Sequence, residues 1–142
     1  MIYGLCHDTK PRQEREPLQI PIFKESQTMT INYSIRAEIS GDADAISNVH
    51  HDAFKGDESI ASLVPRLRQL DAPFETISLV AQSPSGAVLG HVMLSHSWLD
   101  ASDRLIDILV LSPLGVVSVA QKNGIGTALI DRAIEELSLI HI

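Results

Sequence analysis

The residues with the clearest chemistry form one run, Gln121-Lys122-Asn123-Gly124-Ile125-Gly126-Thr127. The run lies between an apolar segment ending at Val117 and an amphipathic segment starting at Ile125. A strand, a glycine-containing turn and a helix start in that order make an anion cradle. Free backbone N–H groups point out of the first helical turn, and the macrodipole adds partial positive charge. Gly124 and Gly126 let a ligand approach the backbone. Lys122 adds a charge, and Thr127 offers a hydroxyl. A pyrophosphate is the group such a cradle suits. Two other phosphate motifs fit poorly. A P-loop needs Gly-x-x-x-x-Gly-Lys-Ser/Thr, and no such run occurs. The dinucleotide fingerprint needs Gly-x-Gly-x-x-Gly, and Leu129 stands where the third glycine belongs. A plain strand-to-helix turn, with glycine for close packing, is the remaining alternative.

The elements that must hold this run can be read from periodicity. Residues 33–39 alternate apolar and polar positions as a half-buried strand does. Ser40-Gly41-Asp42 supplies helix-start chemistry. Ala43, Ile46, Val49, Ala53 and Phe54 then share one helical face. Asp57-Glu58 opens a second helix, where negative charge suits the dipole. Ile60, Leu63, Val64, Leu67 and Leu70 mark its apolar face, and Pro65 should kink or shorten it. Residues 76–81 and 87–98 read as strands around the turn Ser83-Pro84-Ser85-Gly86. A polar turn at residues 100–103 leads to a third apolar run, 105–117. Ser112-Pro113 inside that run points to an edge, a bulge or a break in pairing. Ile125, Ala128, Leu129, Ala133 and Ile134 give the last helix. The predicted order is β-α-α-β-β-β-α, an α/β (α+β) arrangement with a mostly antiparallel sheet and flanking helices.

Composition narrows the function classes. The chain has 142 residues, 44% of them hydrophobic and 20% charged, as expected for one globular domain. A net charge of −7 argues against nucleic-acid or anionic-membrane binding. The sequence contains no uninterrupted apolar run near the roughly 20 residues of a membrane span. The single cysteine, Cys6, excludes an internal disulfide and a cysteine-based zinc site, and a reducing, cytoplasmic setting is the default. No metal site is expected. His50 and His51 are adjacent on the first helix and diverge, so they are not a metal pair. Both are assigned to the surface or the core edge. Asn32-Tyr33-Ser34 matches a glycosylation sequon, with no secretory signal before it.

Gln-x-x-Gly-x-Gly after a long strand and opening a helix resembles motif A of the GCN5-related N-acetyltransferases. Leu111-Ser112-Pro113-Leu114-Gly115-Val116 resembles the fourth strand of that fold. Gly86-Ala87-Val88-Leu89-Gly90-His91-Val92-Met93-Leu94-Ser95 resembles its third, and Ile35-Arg36-Ala37-Glu38 its opening βα unit. The combination is most similar to the YhbS-like predicted acetyltransferases and covers residues 31–136. The resemblance implies a partial acyl-CoA N-acyltransferase fold and direct acetyl transfer from acetyl-CoA to a small-molecule or peptide amine. It also implies that Leu114, Gly115 and Val116 sit beside the pantetheine arm. The pyrophosphate would rest on backbone N–H groups of Lys122, Asn123, Gly124, Ile125, Gly126 and Thr127. One departure is Ser118-Val119-Ala120, where the family carries a proline and an acidic or aromatic residue. That implies a loosened turn and weaker cofactor affinity. A non-catalytic acyl-CoA-binding or protein-interaction module is the alternative function.

Candidates for the base that takes the amine proton follow from the resemblance. Asp107 lies near the start of the fourth strand, where some family members carry a glutamate. His96, at the end of the third strand, could face the acceptor cleft. Asp57-Glu58 would border the acceptor site, and Trp98 reads as packing. A fifth strand and the tyrosine on the helix after it, which protonates the thiolate in the family, have no counterpart here. The sequence is therefore read as a domain at residues 29–136 lacking its second half. Residues 1–28 are expected to be a disordered or spurious extension. Residues 137–142, Leu-Ser-Leu-Ile-His-Ile, match one reading frame of a common sequencing adapter and are expected to be its translation.

Overall fold

The computed structural model describes residues 30–70 and 75–140. The expected extension over 1–28 and the final His141-Ile142 lie outside the described residues. Strand β1 is Ser34–Ala37, followed by a 3-10 turn at Ser40–Asp42 and helix α1 at Ala43–Ala53. Two short helices follow, α2 at Glu58–Ala61 and α3 at Leu63–Arg68. Strands β2 at Ile77–Gln82, β3 at Val88–Asp100 and β4 at Leu105–Val116 complete a four-stranded sheet in the order β1-β2-β3-β4. A second 3-10 turn at Ser118–Ala120 leads to helix α4 at Ile125–Leu139. Every described pairing is antiparallel. The expected fold class stands, with one correction. The second helix is two helices, divided at Ser62. Pro65 sits in the first turn of α3, where its missing N–H would have had no helical partner. The predicted start at Asp57 is present as an N-cap, its carboxylate accepting from the Ser59 N–H at 2.9 Å.

Strand alternation sends side chains to two separate cores. Leu79, Ala81, Val92 and Leu94 pack with Ile125, Leu129 and Ala133 of α4 on one face. Val80 and Met93 pack with Ile46 of α1 and Val64 of α3 on the other. Ser112 and Pro113 form a bulge: two residues lie between Leu111 and Leu114, whose partners Leu94 and Val92 have only Met93 between them. The proline thus occupies a bulge on a strand at the sheet edge, two of the three predicted settings. Pairing with β2 ends at Leu94, so the far part of β3 continues with β4 as a two-stranded ribbon. Among the described residues no helix is long and apolar enough to cross a membrane.

The β1 end is fastened by Asp42, which is 6% exposed. Its two oxygens take Arg36 Nη1 and Nη2 at 2.7 and 3.0 Å, and it accepts the Ile39 N–H at 2.8 Å. Arg36 Nε also donates to Gln82 on β2 at 2.7 Å. The Arg36 fork holds the Asp42 carboxyl below the usual carboxylate range despite its burial. Asp42→Ala is expected to cost about 3 kcal/mol in denaturant unfolding, because it strands a half-buried guanidinium and a backbone N–H. A loss under 1 kcal/mol would contradict this.

Candidate functional site

The cradle is built from the end of β4, the 3-10 turn and the start of α4. Lys122 and Gly124 both have left-handed backbones, with φ of 66° and 82°. That conformation is ordinary for glycine and costly for lysine, so the surrounding bonds must impose it. Those bonds are present. Gln121 Nε2 donates to the Val116 carbonyl at 2.9 Å. Asn123 Nδ2 donates to the carbonyls of Ala120 at 3.1 Å and Gln121 at 3.0 Å. The result is a braced loop around a cavity of about 250 Å³ lined by Val116, Ala120, Gln121, Lys122, Gly124, Ile125, Gly126 and Thr127. Lys122, Gly124 and Thr127 are exposed. Ile125 is 1% exposed and anchors the helix in the core, so only its backbone faces the cradle. Leu114 and Val116 pack against the α4 core cluster, and Gly115 faces the other way.

The last turn of α1 grips the strand and turn that feed the cradle. A Cβ on Gly115 would lie 2.7 Å from His50 Nδ1 and 3.3 Å from the Ala53 Cβ. Only glycine fits there. Two positions on, Asp52 Oδ2 accepts the Ser118 N–H at 2.5 Å, and its Oδ1 accepts the Ser118 hydroxyl at 3.2 Å. The expectation that Ser118 loosens the turn is corrected by this pair of bonds. Ala120 is 1% exposed within the core, so its small side chain fills its place there.

His50 was expected at the surface or core edge, and the structure corrects that too. It is fully buried. His50 Nε2 and His91 Nδ1 are 2.8 Å apart, and His91 Nε2 lies 2.9 Å from the Ser78 hydroxyl. Ser78 bonds to Glu38, and Glu38 pairs with Arg68. The proton positions follow from the charged end. The Glu38 carboxylate only accepts, so Ser78 donates to it. Ser78 must then accept from His91 Nε2–H, which leaves His91 Nδ1 to accept from His50 Nε2–H. His50 Nδ1 is left as a bare lone pair facing Gly115, with no partner among the described residues. Burial pushes the His50 pKa down to about 4. Burial, then the neighbouring His50 and Arg68, push His91 down to about 3, against a smaller upward pull from Asp42. A larger cavity of about 520 Å³ lies at the Glu38 and Arg68 end, away from the cradle. The signal for this chain of bonds was the position of His50, one turn after Ile46 on the apolar face of α1. His51 does lie outside, 2.6 Å from Glu58.

The two candidate bases meet each other. His96 Nε2 is 2.8 Å from Asp107 Oδ1, the His96 side chain buried and that of Asp107 53% exposed. Trp98 stacks edge-on against His96. The pair stands on the α4 side of the ribbon, by alternation from Leu94. Asp107 is separated from Gly115 by about 26 Å of strand.

No protein-family model matches the sequence, and no curated protein does. Solved structures do match the fold. A GNAT family acetyltransferase from Brucella melitensis, in complex with acetyl-CoA, is 30% identical with a TM-score of 0.66. The match covers 78% of this chain and 71% of that one. The GNAT family N-acetyltransferase YhbS from Escherichia coli, in complex with CoA, is 27% identical with a TM-score of 0.66. That match covers 81% of this chain and 61% of YhbS. An acetyltransferase from Vibrio fischeri, at 18% identity and a TM-score of 0.55, shares the fold.

Proposed function

Because the chain belongs to the GCN5-related N-acetyltransferase (GNAT) family, we propose that it binds acetyl-CoA and serves acetyl transfer to an amine. The observation that carries this reading is the braced cradle, with its left-handed Lys122 and Gly124, at the end of an edge strand. In it the pyrophosphate lies on the N–H groups of residues 122–127, and Lys122 neutralises part of its charge. The pantetheine arm runs along Leu114, Gly115 and Val116, whose outer backbone edge has no strand beside it among the described residues. Transfer proceeds by attack of a neutral amine nitrogen on the thioester carbonyl. The C–S bond breaks, the thiolate leaves, and the amine proton passes to a base. A small-molecule or peptide amine is the acceptor, and the cytoplasm suits a chain with one cysteine.

We assign His96 and Asp107 to bracing the ribbon, because they stand so far up β4 from Gly115. This placement favours a second reading, acyl-CoA binding without turnover. Thiol release with a panel of amines separates the two, and Asp107→Asn should leave any turnover unchanged. A hundredfold loss in that variant would return Asp107 to the role of base.

The cofactor reading is tested by thermal shift with CoA, acetyl-CoA and NAD. Stabilisation by both CoA species is expected, and stabilisation by NAD alone would overturn it. Gly126→Ala sharpens the test. The nearest atom to its Cβ would be Val116 Cγ2 at 3.9 Å, so the fold accepts the methyl. Helix propensity should even raise stability by up to about 1 kcal/mol. The same methyl narrows the cradle, so CoA affinity should fall at least tenfold. Equal affinity would place the ligand elsewhere.

A further inference from the structure

We propose that Asp52 is a positioning residue for the cofactor cradle, holding the loop in its ligand-ready shape through Ser118; this rests on the acetyl-CoA reading above. Asp52 lies in the last turn of α1, between two residues of that turn with other work. His50 and Ala53 close on Gly115, while Asp52 reaches past them to Ser118. Three residues of one helical turn therefore hold both ends of the segment from Gly115 to Ser118. Beyond Ser118 the backbone passes directly into the loop: the Ala120 N–H donates to Val117, and the Gln121 N–H donates to Ser118, at 2.9 and 3.3 Å. Buried Ala120 is the pivot. Release of Ser118 frees the near side of that pivot, and the left-handed Lys122 relaxes toward commoner backbone angles.

The charge of Asp52 makes the proposal testable by sign. A carboxylate near a pyrophosphate site repels a polyanion, so electrostatics alone predicts tighter CoA binding when Asp52 is neutralised. Positioning predicts the opposite for Asp52→Ala, which loses both bonds: CoA affinity should fall about tenfold. Asp52→Asn removes the charge and keeps the geometry, its oxygen accepting the Ser118 N–H and its amide donating to the Ser118 hydroxyl. It should bind CoA as well as the parent chain or better.

The experiment is calorimetric titration of CoA into the full chain and both variants, with amide NMR spectra of each without ligand. In the ligand-free Asp52→Ala spectrum the Lys122, Gly124 and Gly126 amides should shift and broaden, while those of Asp52→Asn stay near the parent positions. Equal or tighter CoA binding by Asp52→Ala would overturn the proposal, as would an equal loss in both variants. If the parent chain binds no CoA, the cofactor reading fails, and the unliganded loop amides still decide whether Asp52 shapes the loop. If Asp52→Ala does not fold, Ser118→Ala takes its place; it loses the hydroxyl bond at 3.2 Å and keeps the N–H bond at 2.5 Å, so a smaller loss of about threefold is expected, and unchanged or tighter binding would overturn the proposal.

Discussion

Gly115→Ala is expected to destabilise the domain by about 3 kcal/mol. The added Cβ would lie 2.7 Å from His50 Nδ1 and 3.1 Å from its Cε1. Neither side can yield cheaply. His50 is tied to His91, and β4 is tied to β3 on both sides of the position. A double-mutant cycle with His50→Ala isolates the contact. With the ring removed, the same methyl should cost under about 0.5 kcal/mol, because Ala53 Cβ at 3.3 Å is then the nearest constraint. The His50→Ala background will itself be weakened by its cavity, so the informative quantity is the coupling between the two changes. Additive effects would mean that the ring and the strand do not meet. In the acetyl-CoA reading, the Gly115 methyl should weaken CoA binding in the parent chain and have little effect on it in the His50→Ala background.

Acid should destabilise the fold through His50 and His91 well before the carboxylates titrate. Both histidines have native pKa values below the unfolded value near 6.5, at about 4 and about 3. A group depressed in this way contributes stability that is complete above the unfolded pKa and drains as pH falls toward the native one. Near pH 5 the unfolded chain binds nearly two more protons than the folded one, and about one and a half more at pH 6 and at pH 4. Unfolding free energy should therefore fall by up to about 2.7 kcal/mol per pH unit. Urea unfolding at half-unit steps measures the slope. His50→Leu should halve it, since one of the two groups is gone and the leucine needs no partner. Asp42 adds a loss of the same sign, but only below the usual carboxylate range. Stability that stays flat from pH 6.5 to 4.5 would show that the folded protein accepts protons on this pair.

What could be read in the sequence was local. The strands read at 76–81 and 87–98 are marked by the turn at residues 83–86 between them, and Asp57 beside Ser59 is enough to start a helix. The cradle is local as well, since Gln121 bonds back to Val116 and Asn123 to Ala120 and Gln121, all within a few residues. Pro65 announced a break, but only the fold placed it at Ser62. The partners that decide the surroundings of the cradle are distant. Asp52 and Ser118 are 66 residues apart, and His50 and His91 are 41 apart. No spacing rule joins such pairs, because their meeting depends on how a helix lands on a sheet. His96 and Asp107 were both singled out, and a hairpin register brought them together. Their height on the strand follows from strand length, and the predicted ranges 87–98 and 105–117 lie within two residues of the observed strands.

The bonded series from His50 to Glu38 also keys the strands against slipping. Ser78 stands opposite Met93, and His91 opposite Val80, on neighbouring strands. A shift of β2 by one residue would turn Ser78 to the α4 face, leave His91 Nε2 with a buried hydrogen and no acceptor, and drive apolar Leu79 into its place. Each misaligned pairing thus carries a polar penalty on one face as well as lost packing on both. The two histidines act as teeth that admit a single alignment of the sheet's middle strands, and the cradle inherits that alignment through β4.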